Sequence, residues 1–244
     1  MKTVKWKKAD INEALATLYL RLNGYFTTGL ILHSPKWGQA RTETDCLAIR
    51  HPGHCQSERG VETAEFLGIQ KGEVDLIVCE VKSVPEQIAF NEPLRTDLES
   101  VHALLRWAGV FDERQVLSVA VRLQPLFSDG VEAARSRSGV VEGRYRIRGL
   151  LCCPPASEED CKGRWCLVGP EILRFVNECF NPSVRRDACS TRYNFQQWGY
   201  ALAPIVQYFR LIRDFWGLIY AVAHDFREVR DGQQGALPSL VGDR

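Results

Sequence analysis

The sequence predicts an α/β fold in which a mixed β-sheet is flanked by helices. In the first half of the chain, apolar residues at helical spacing alternate with β-branched and aromatic runs that end at glycine or proline. One further run, Asp75 to Lys82, has apolar residues at its central positions, on both faces of an extended chain. A strand of this kind is typical of the middle of a sheet that is covered by helices on each side.

The composition excludes a chain that is mainly disordered. With 244 residues, 45% of them hydrophobic, the chain is long and apolar enough to bury a substantial core. Lys and Arg total 31 against 30 Asp and Glu, and this balance gives no overall electrostatic preference for nucleic acid or anionic lipid. Any such preference has to come from local patches.

The sequence shows no pattern for export or membrane insertion. No apolar signal core follows Met1 to Lys8, and the nine cysteines are an odd number, so we expect a cytoplasmic protein with mostly free thiols. The most apolar stretch, Trp198 to Phe226, is interrupted by charged residues in its middle. We therefore expect no membrane partner.

The first predicted element is a helix near the N-terminus. Asp10 to Glu13 has the capping-box pattern, in which an N-cap acid is followed three residues later by glutamate. Gly24 can end the helix in the left-handed conformation. Apolar residues in this segment recur at helical spacing: Ile11, Leu15, Leu18 and Leu22.

Three strands are predicted to follow this helix. The β-branched and aromatic runs Tyr25–His33 and Thr42–Arg50 predict the first two. The polar segment 51–73, with one helical turn at 61–67, is an excursion that leads to the third strand, Asp75–Lys82.

A second helix and a fourth strand are predicted to complete the sheet. Thr96 to Glu99 repeats the capping-box pattern, and helical spacing continues to Gly109. The β-branched run Val116–Leu123 predicts a strand that joins the same sheet. The predicted order for residues 1–127 is therefore helix, strand, strand, strand, helix, strand.

Residues 128–244 are predicted to add a strand and a mainly helical extension that packs on this core. One helix begins at Pro170, and a long helical region over 194–226 is bent near Pro204. The tail, 229–244, has few apolar residues, and we expect it to be flexible.

The added strand, Arg144–Cys152, carries three arginines. The period of two in a strand places Arg144, Arg146 and Arg148 on one face. Arginine matches phosphate oxygens with a fork of donors, so these residues are candidates for binding a nucleic-acid backbone. A solvated strand face is the alternative interpretation.

Candidate catalytic residues lie at the end of the apolar third strand. Glu80 and Lys82 share one face, at a separation of roughly 6 to 7 Å. Burying both charges costs several kcal/mol unless they are paired or ligate a metal ion. Asp45, on the preceding strand, is the better acidic partner, because Asp75 lies about 16 Å from Glu80 along the strand and on its opposite face. A surface ion pair is the alternative interpretation.

Two carboxylates and a lysine suit phosphodiester hydrolysis. The carboxylates of Asp45 and Glu80 would hold Mg²⁺ or Mn²⁺, which polarises the phosphate and lowers the pKa of a bound water. The ammonium of Lys82 would orient that water or stabilise the developing charge.

The pattern of Asp45 followed by Glu80-Val81-Lys82, in the predicted element order, resembles the PD-(D/E)xK nuclease superfamily. Gly24–Phe26, Thr42–Ala48 and Asp75–Lys82 resemble the core of its resolvase-like and RecB-like members. The resemblance covers about half of the chain. It implies a restriction-endonuclease-like fold with an αβββαβ core and a central mixed sheet.

The resemblance also implies roles for individual residues. Asp45 and Glu80 would bind Mg²⁺ or Mn²⁺, the carbonyl of Val81 would add a ligand, Lys82 would assist catalysis, and Glu13 would approach the site. Glu13 has an alternative role in its capping box. The implied activity is a nuclease that acts on DNA rather than RNA, as an endonuclease more than an exonuclease, in defence or repair.

A second hypothesis is a binding module on the same fold. Such a subunit would bind nucleic acid or protein, and its activity would depend on another chain. A homodimer or a partner subunit is compatible with the aromatic residues of the C-terminal helical region, which could form an interface or stack on bases. Four further cysteines could form a metal site, although no C-x-x-C pair is present: Cys152, Cys153, Cys161 and Cys166.

Overall fold

A computed structural model describes residues 6–34, 36–55, 61–180 and 198–211 of the chain. In these ranges a six-stranded mixed sheet is covered by helices on both faces, so the predicted α/β class is confirmed. The predictions for residues 212–226 and for the tail 229–244 lie outside the described residues.

The order of elements begins with a helix and three strands, as predicted. The structure contains, in chain order, α1 (Lys8–Leu22), β1 (Phe26–His33), β2 (Ala40–Arg50), β3 (Val74–Val81), α2 (Glu92–Thr96), α3 (Leu98–Ala108), α4 (Glu113–Leu123), α5 (Ala133–Ser138), β4 (Val140–Glu142), β5 (Tyr145–Cys153), β6 (Cys166–Val168), α6 (Gly169–Phe180) and α7 (Gly199–Leu211). Pro204 lies inside α7. None of the helices in the described ranges is long and apolar enough to cross a membrane.

Strand β3 lies in the middle of the sheet. The strand order is β1-β2-β3-β5-β4, and β6 pairs with the C-terminal half of β5. Strand β3 is antiparallel to β2 and parallel to β5. Every residue of β3 from Val74 to Glu80 is buried, which is the environment that its apolar sequence predicted.

The two faces of the sheet are covered by different helices. Helices α1, α6 and α7 pack on the face that carries Ile77, Cys79 and Leu150. Helices α3 and α4 pack on the opposite face, which carries Leu76 and Val78. The alternation of side chains along β3 therefore contributes to two hydrophobic cores.

Helix α1 begins earlier than predicted. Its N-cap is Lys7, whose backbone N–H donates to the Asp10 carboxylate at 2.9 Å. Asp10 thus has the role of the third helical residue, and the prediction that it caps the helix is wrong. Glu13 lies one turn further on, so the capping-box role that was the alternative for Glu13 does not apply.

The strand predicted at Val116–Leu123 is wrong, because this segment is helix α4. The Asp112 side chain caps the helix by accepting hydrogen bonds from the backbone N–H groups of Arg114 and Gln115 at 3.0 and 2.9 Å. The buried residues repeat at helical spacing: Val116, Val119, Ala120 and Leu123. Burial of this face outweighs the β propensity of the valines.

The position beside β3 is occupied instead by β5. Val74 lies opposite Tyr145, and Glu80 lies opposite Leu151, in a continuous parallel register. The strand beside β3 is therefore the arginine-bearing strand, which follows β4 in the chain. The sheet is continuous across residue 127, with helices α3 and α4 in the crossover between β3 and β5.

Candidate active site

The candidate site lies where β2 separates from β3. Two residues of β2, Asp45 and Cys46, lie opposite the single residue Gly29 of β1 and form a β-bulge. The pairing of β2 with β3 ends at Cys46, which lies opposite Cys79. A bulge changes the direction in which a side chain points. The bulge therefore takes Asp45 out of the regular alternation of side chains along β2, beside the C-terminal end of β3.

The carboxylate of Asp45 is fixed by the backbone of β3. Its Oδ2 atom accepts a hydrogen bond from the Val81 N–H at 2.6 Å. Burial raises the pKa of Asp45, while this hydrogen bond and the charge of Lys82 act in the opposite direction. The sequence prediction that Asp45 approaches the Glu80-Val81-Lys82 segment agrees with this contact.

Glu80 is a buried carboxylate with one unsatisfied oxygen. Its side chain is 2% exposed, and Oε1 accepts a hydrogen bond from Lys82 Nζ at 2.6 Å. Its Oε2 has no hydrogen-bond partner among the described residues. Burial, together with the charge of Asp45, raises the pKa of Glu80 to about 7, against the opposing effect of Lys82. An unsatisfied buried oxygen of this kind is costly unless a ligand completes it.

The ammonium of Lys82 is held by two side chains. Besides Glu80, it donates a hydrogen bond to Asn91 Oδ1 at 3.1 Å. The Asn91 amide donates in turn to the Glu43 carbonyl of β2 at 3.1 Å. Asn91 thus connects the lysine to the strand that carries Asp45. The sequence analysis did not identify Asn91, which precedes the short helix α2.

Glu13 faces the same space as Asp45. Both side chains line a cavity of about 480 Å³ between α1, β1 and the start of α7. Burial raises the pKa of Glu13, and the negative charge of Asp45 adds to the effect. The structure therefore brings Glu13 to the Asp45 side of the site, while Glu80 and Lys82 contact one another at the end of β3.

The same cavity contains a cation that the sequence analysis missed. Arg21 of α1 lines it, with its guanidinium 4.9 Å from the ring centre of Trp198. Helical spacing places Arg21 two turns beyond Glu13 on the same helix, and this spacing is the only sequence signal for it.

The predicted phosphate-binding role is wrong for Arg148. Its side chain is fully buried, and its Nε donates to Asp75 Oδ1 at 2.9 Å as part of an ion pair. The guanidinium also lies 4.8 Å from the ring centre of Trp165. The arginine is therefore neutralised inside the core. The buried ion pair also occupies Asp75, which the sequence analysis had excluded as a partner of Glu80.

The other two arginines lie far from the candidate site. Arg146 is paired with Glu73, at 2.5 and 3.0 Å, and only Arg144 is exposed. In the parallel register of β3 and β5, these arginines lie beside the start of β3. Six residues separate this end from Glu80, about 20 Å of extended chain. The geometry gives Arg144 and Arg146 no contact with the site.

The cysteines do not converge on one point. Cys152 packs on the α1 side of the sheet, whereas Cys153, Cys161 and Cys166 pack on the opposite side. Among the described residues, no group of three or more His, Cys, Asp or Glu side chains could hold a metal ion. The candidate site offers two carboxylates, which is a common protein contribution to Mg²⁺ sites that keep several waters.

Comparisons with known proteins leave the function to be argued from the geometry. No protein-family model, no curated protein and no solved structure matches this chain. The residues that carry the argument are Asp45, Glu80 and Lys82, together with Asn91.

Proposed function

We propose that this protein is a metal-dependent nuclease that hydrolyses phosphodiester bonds, of DNA rather than RNA. The proposal rests on the hydrogen bonding of the Glu80 carboxylate. Its buried carboxylate has one oxygen held by Lys82 and the other without a hydrogen-bond partner among the described residues. A structural ion pair in a core normally has both oxygens satisfied, so the second oxygen favours a ligand.

The donor atoms fit a hard divalent cation. Asp45 and Glu80 supply carboxylate oxygens, and the resemblance to the PD-(D/E)xK superfamily adds the carbonyl of Val81. Carboxylate oxygens are the ligands that Mg²⁺ and Mn²⁺ prefer. When bound, such an ion polarises the phosphate and supplies a water of lowered pKa.

The side chains of this chain have separate tasks in the proposed reaction. The Val81 N–H holds the Asp45 carboxylate in place at the bulge. Glu80 and Asn91 hold the ammonium of Lys82 between them, where it orients the attacking water or stabilises charge on the phosphate. Fixed donors and acceptors of this kind limit the reorganisation that the reaction requires.

The order of elements supports the same proposal. One helix and three strands are followed by helices α2 to α5, by the short strand β4, and then by β5, which is parallel to β3. With β4 as an addition, this order is compatible with the αβββαβ core that the resemblance implies. The end of β3, which carries the candidate site, still pairs with β5 beyond the point where its pairing with β2 ends.

The test is cleavage by the purified chain of linear, circular and single-stranded DNA and of RNA, in Mn²⁺ and in EDTA. Wild type is compared with Glu80→Gln, which keeps the shape of the side chain, and with Glu132→Gln, which changes an exposed glutamate. We expect Mn²⁺-dependent cleavage that falls about 100-fold or more in Glu80→Gln alone.

Two results would contradict the proposal. Undiminished cleavage by Glu80→Gln would exclude the site. Absence of cleavage by wild type on every substrate would exclude an enzyme that acts alone. Binding of nucleic acid without cleavage would instead favour the alternative, a subunit whose activity depends on a partner.

A further inference from the structure

The cavity beside Asp45 extends along α1 beyond the carboxylates. Asp10, Glu13 and Asp45 line it together with Arg21, and its volume is about 480 Å³. Eight residues of helix separate Glu13 from Arg21, a rise of about 12 Å. Among the described residues that line this space, Arg21 is the only cation. We call the space the α1 cavity.

Arg21 carries a positive charge that no carboxylate neutralises. It is partly buried, burial lowers its pKa, and no Asp or Glu of the described residues lies within ion-pair distance of it. Its contacts with Trp198, a weak hydrogen bond of 3.4 Å to the carbonyl and the ring centre at 4.9 Å, supply no counter-charge. The buried Arg148, by contrast, is paired with Asp75. A partly desolvated guanidinium without a counter-ion favours an anion, and its planar donors match phosphate oxygens.

Thr27 of β1 lies on the same side of the sheet as Arg21. It is opposite Ala48, whose side chain belongs to the hydrophobic core on the α1 face. Opposite residues of an antiparallel pair have their side chains on one face, so the Thr27 side chain is directed toward α1. Thr27 also lines the α1 cavity. Threonine hydroxyls and arginine guanidiniums both donate hydrogen bonds to the phosphate oxygens of nucleic acids.

The surroundings of Arg21 favour a phosphate of a nucleic-acid backbone over a small free anion. The three carboxylates of the α1 cavity repel an isolated anion. A strand whose cleaved phosphate lies at the proposed metal site brings its neighbouring phosphates with it, since every nucleotide carries one. One of these phosphates can reach Arg21 along α1. The arginines that the sequence analysis assigned to this task lie at the opposite end of β3.

We propose that Arg21 and Thr27 bind a backbone phosphate of the substrate strand next to the cleaved bond. The inference rests on the proposed nuclease function and adds the residues that hold the substrate beside the metal site. Single strands and duplexes present the same backbone phosphates, so this contact does not distinguish between them. The contact contributes affinity that decreases as the salt concentration rises.

The test measures how DNA binding depends on salt. Fluorescence anisotropy in Ca²⁺, in place of Mn²⁺, gives the Kd of labelled single-stranded and duplex DNA at salt concentrations from about 50 to 200 mM. We expect Arg21→Gln to weaken the binding of both forms about tenfold at the lowest salt and to reduce the slope of log Kd against log salt by about one. Arg21→Lys keeps the charge and should keep the slope. Arg114→Gln, which changes an exposed arginine on α4, is the matched control.

A second variant places a negative charge at the same cavity. Ala201 of α7 is exposed and lines the α1 cavity, so Ala201→Glu changes the charge there without removing a buried side chain. We expect it to weaken the binding of both DNA forms, because its carboxylate repels the backbone phosphate. Ser118→Glu, at an exposed position of α4, is the matched control and should bind like wild type.

Three results would overturn the inference. The first is binding by Ala201→Glu with the affinity of wild type, which decides the matter even if Arg21→Gln fails to fold. The second is wild type that binds neither form of DNA. The third is displacement of the labelled DNA by inorganic phosphate as readily as by unlabelled DNA, which would assign Arg21 to a free phosphate.

The outcomes also separate this inference from the proposed function. Weaker binding by Arg21→Gln and Ala201→Glu, without cleavage by wild type in Mn²⁺, would support the phosphate contact in a binding subunit and contradict the nuclease. Mn²⁺-dependent cleavage by wild type, with unchanged binding in both variants, would support the nuclease and overturn the phosphate contact.

Discussion

Glu80 and Lys82 form an ion pair at the end of a strand whose other residues are almost all apolar. A buried ion pair seldom stabilises a fold more than apolar side chains of the same shape, because both charges lose their hydration. The second oxygen of Glu80 adds to this cost. Strongly perturbed carboxylates in such surroundings are more typical of functional sites than of structural ones.

The pKa of Glu80 predicts how stability depends on pH. Burial, with the charge of Asp45, raises this pKa from 4.5 to about 7, so the folded state retains a proton that the unfolded state loses. The contribution of the protonated Glu80 carboxyl to the free energy of unfolding is present below about pH 4.5 and is lost as the pH rises through about 7. Without divalent cations, we expect the free energy of unfolding of wild type to fall relative to Glu80→Gln by about 3 kcal/mol over this range.

Urea denaturation of both proteins at several pH values measures this difference. Parallel pH profiles for wild type and Glu80→Gln would show that the carboxyl is not perturbed.

The hydrogen bonds of Asn91 predict that its side chain positions Lys82 for catalysis. Asn91→Ala removes the amide that holds Lys82 and connects it to β2, so we expect the kcat of cleavage to fall about tenfold with little change in KM. Asn91→Asp keeps an oxygen at the same place and should recover part of the rate. Gln70→Ala, at an exposed position before β3, is the matched control. A change in KM alone would point to substrate binding instead.

At the scale of residues, the sequence predicted the groups that belong to one strand or to a neighbouring strand. Glu80 and Lys82 follow from the period of two and from the cost of burying charge, and Asp45 from the adjacent strand. Asn91 and Arg21 could not be predicted in the same way, because their roles depend on how α2 and α1 approach the sheet. Arg148 was mistaken for a surface group because its strand occupies the centre of the sheet rather than an edge.

At the scale of elements, helix α4 shows where β propensity fails as a guide. Valine suits a strand, but in this segment the apolar positions repeat every three or four residues, which buries one helical face against the sheet. The capping box of Asp112 and Gln115 then fixes the start of the helix. The strands β1, β2 and β3 were predictable, because each is a β-branched or apolar run that ends at turn residues.

The cap of α4 gives a stability prediction. Asp112→Ala removes the acceptor for two backbone N–H groups, so we expect the free energy of unfolding to fall by about 1 kcal/mol. Ser118→Ala, at an exposed position inside the same helix, should leave stability unchanged or raise it slightly. Urea denaturation measures both. An Asp112→Ala variant as stable as wild type would contradict the assigned cap.

At the scale of the whole molecule, one buried ion pair connects segments that are distant in sequence. Arg148 of β5 and Asp75 of β3 form the pair, and the Tyr25 hydroxyl donates to Asp75 Oδ2 at 2.5 Å. Trp165, before β6, lies against the guanidinium. The cluster joins the segments before β1 and β6 to the two central strands, at the opposite end of β3 from the candidate site.

Removal of one partner should therefore destabilise the whole fold. Arg148→Met leaves Asp75 buried without its counter-ion, and we expect a loss of about 3 to 5 kcal/mol in the free energy of unfolding. Arg144→Met, which changes the exposed arginine of the same region, should change it by less than about 0.5 kcal/mol. Urea denaturation compares the two variants, with the same dependence of the free energy of unfolding on urea concentration used for both. Equal stability of the two variants would show that the buried pair is not structural.

The most direct test of the proposed active site is DNA cleavage by Lys82→Ala in Mn²⁺ and in EDTA. Lys71→Ala, in the exposed turn before β3, is the matched control. We expect wild type and Lys71→Ala to cleave only in Mn²⁺, and Lys82→Ala to cleave about 100-fold more slowly or not at all. Equal cleavage by Lys82→Ala, or cleavage by wild type in EDTA, would contradict a metal-dependent site at the end of β3.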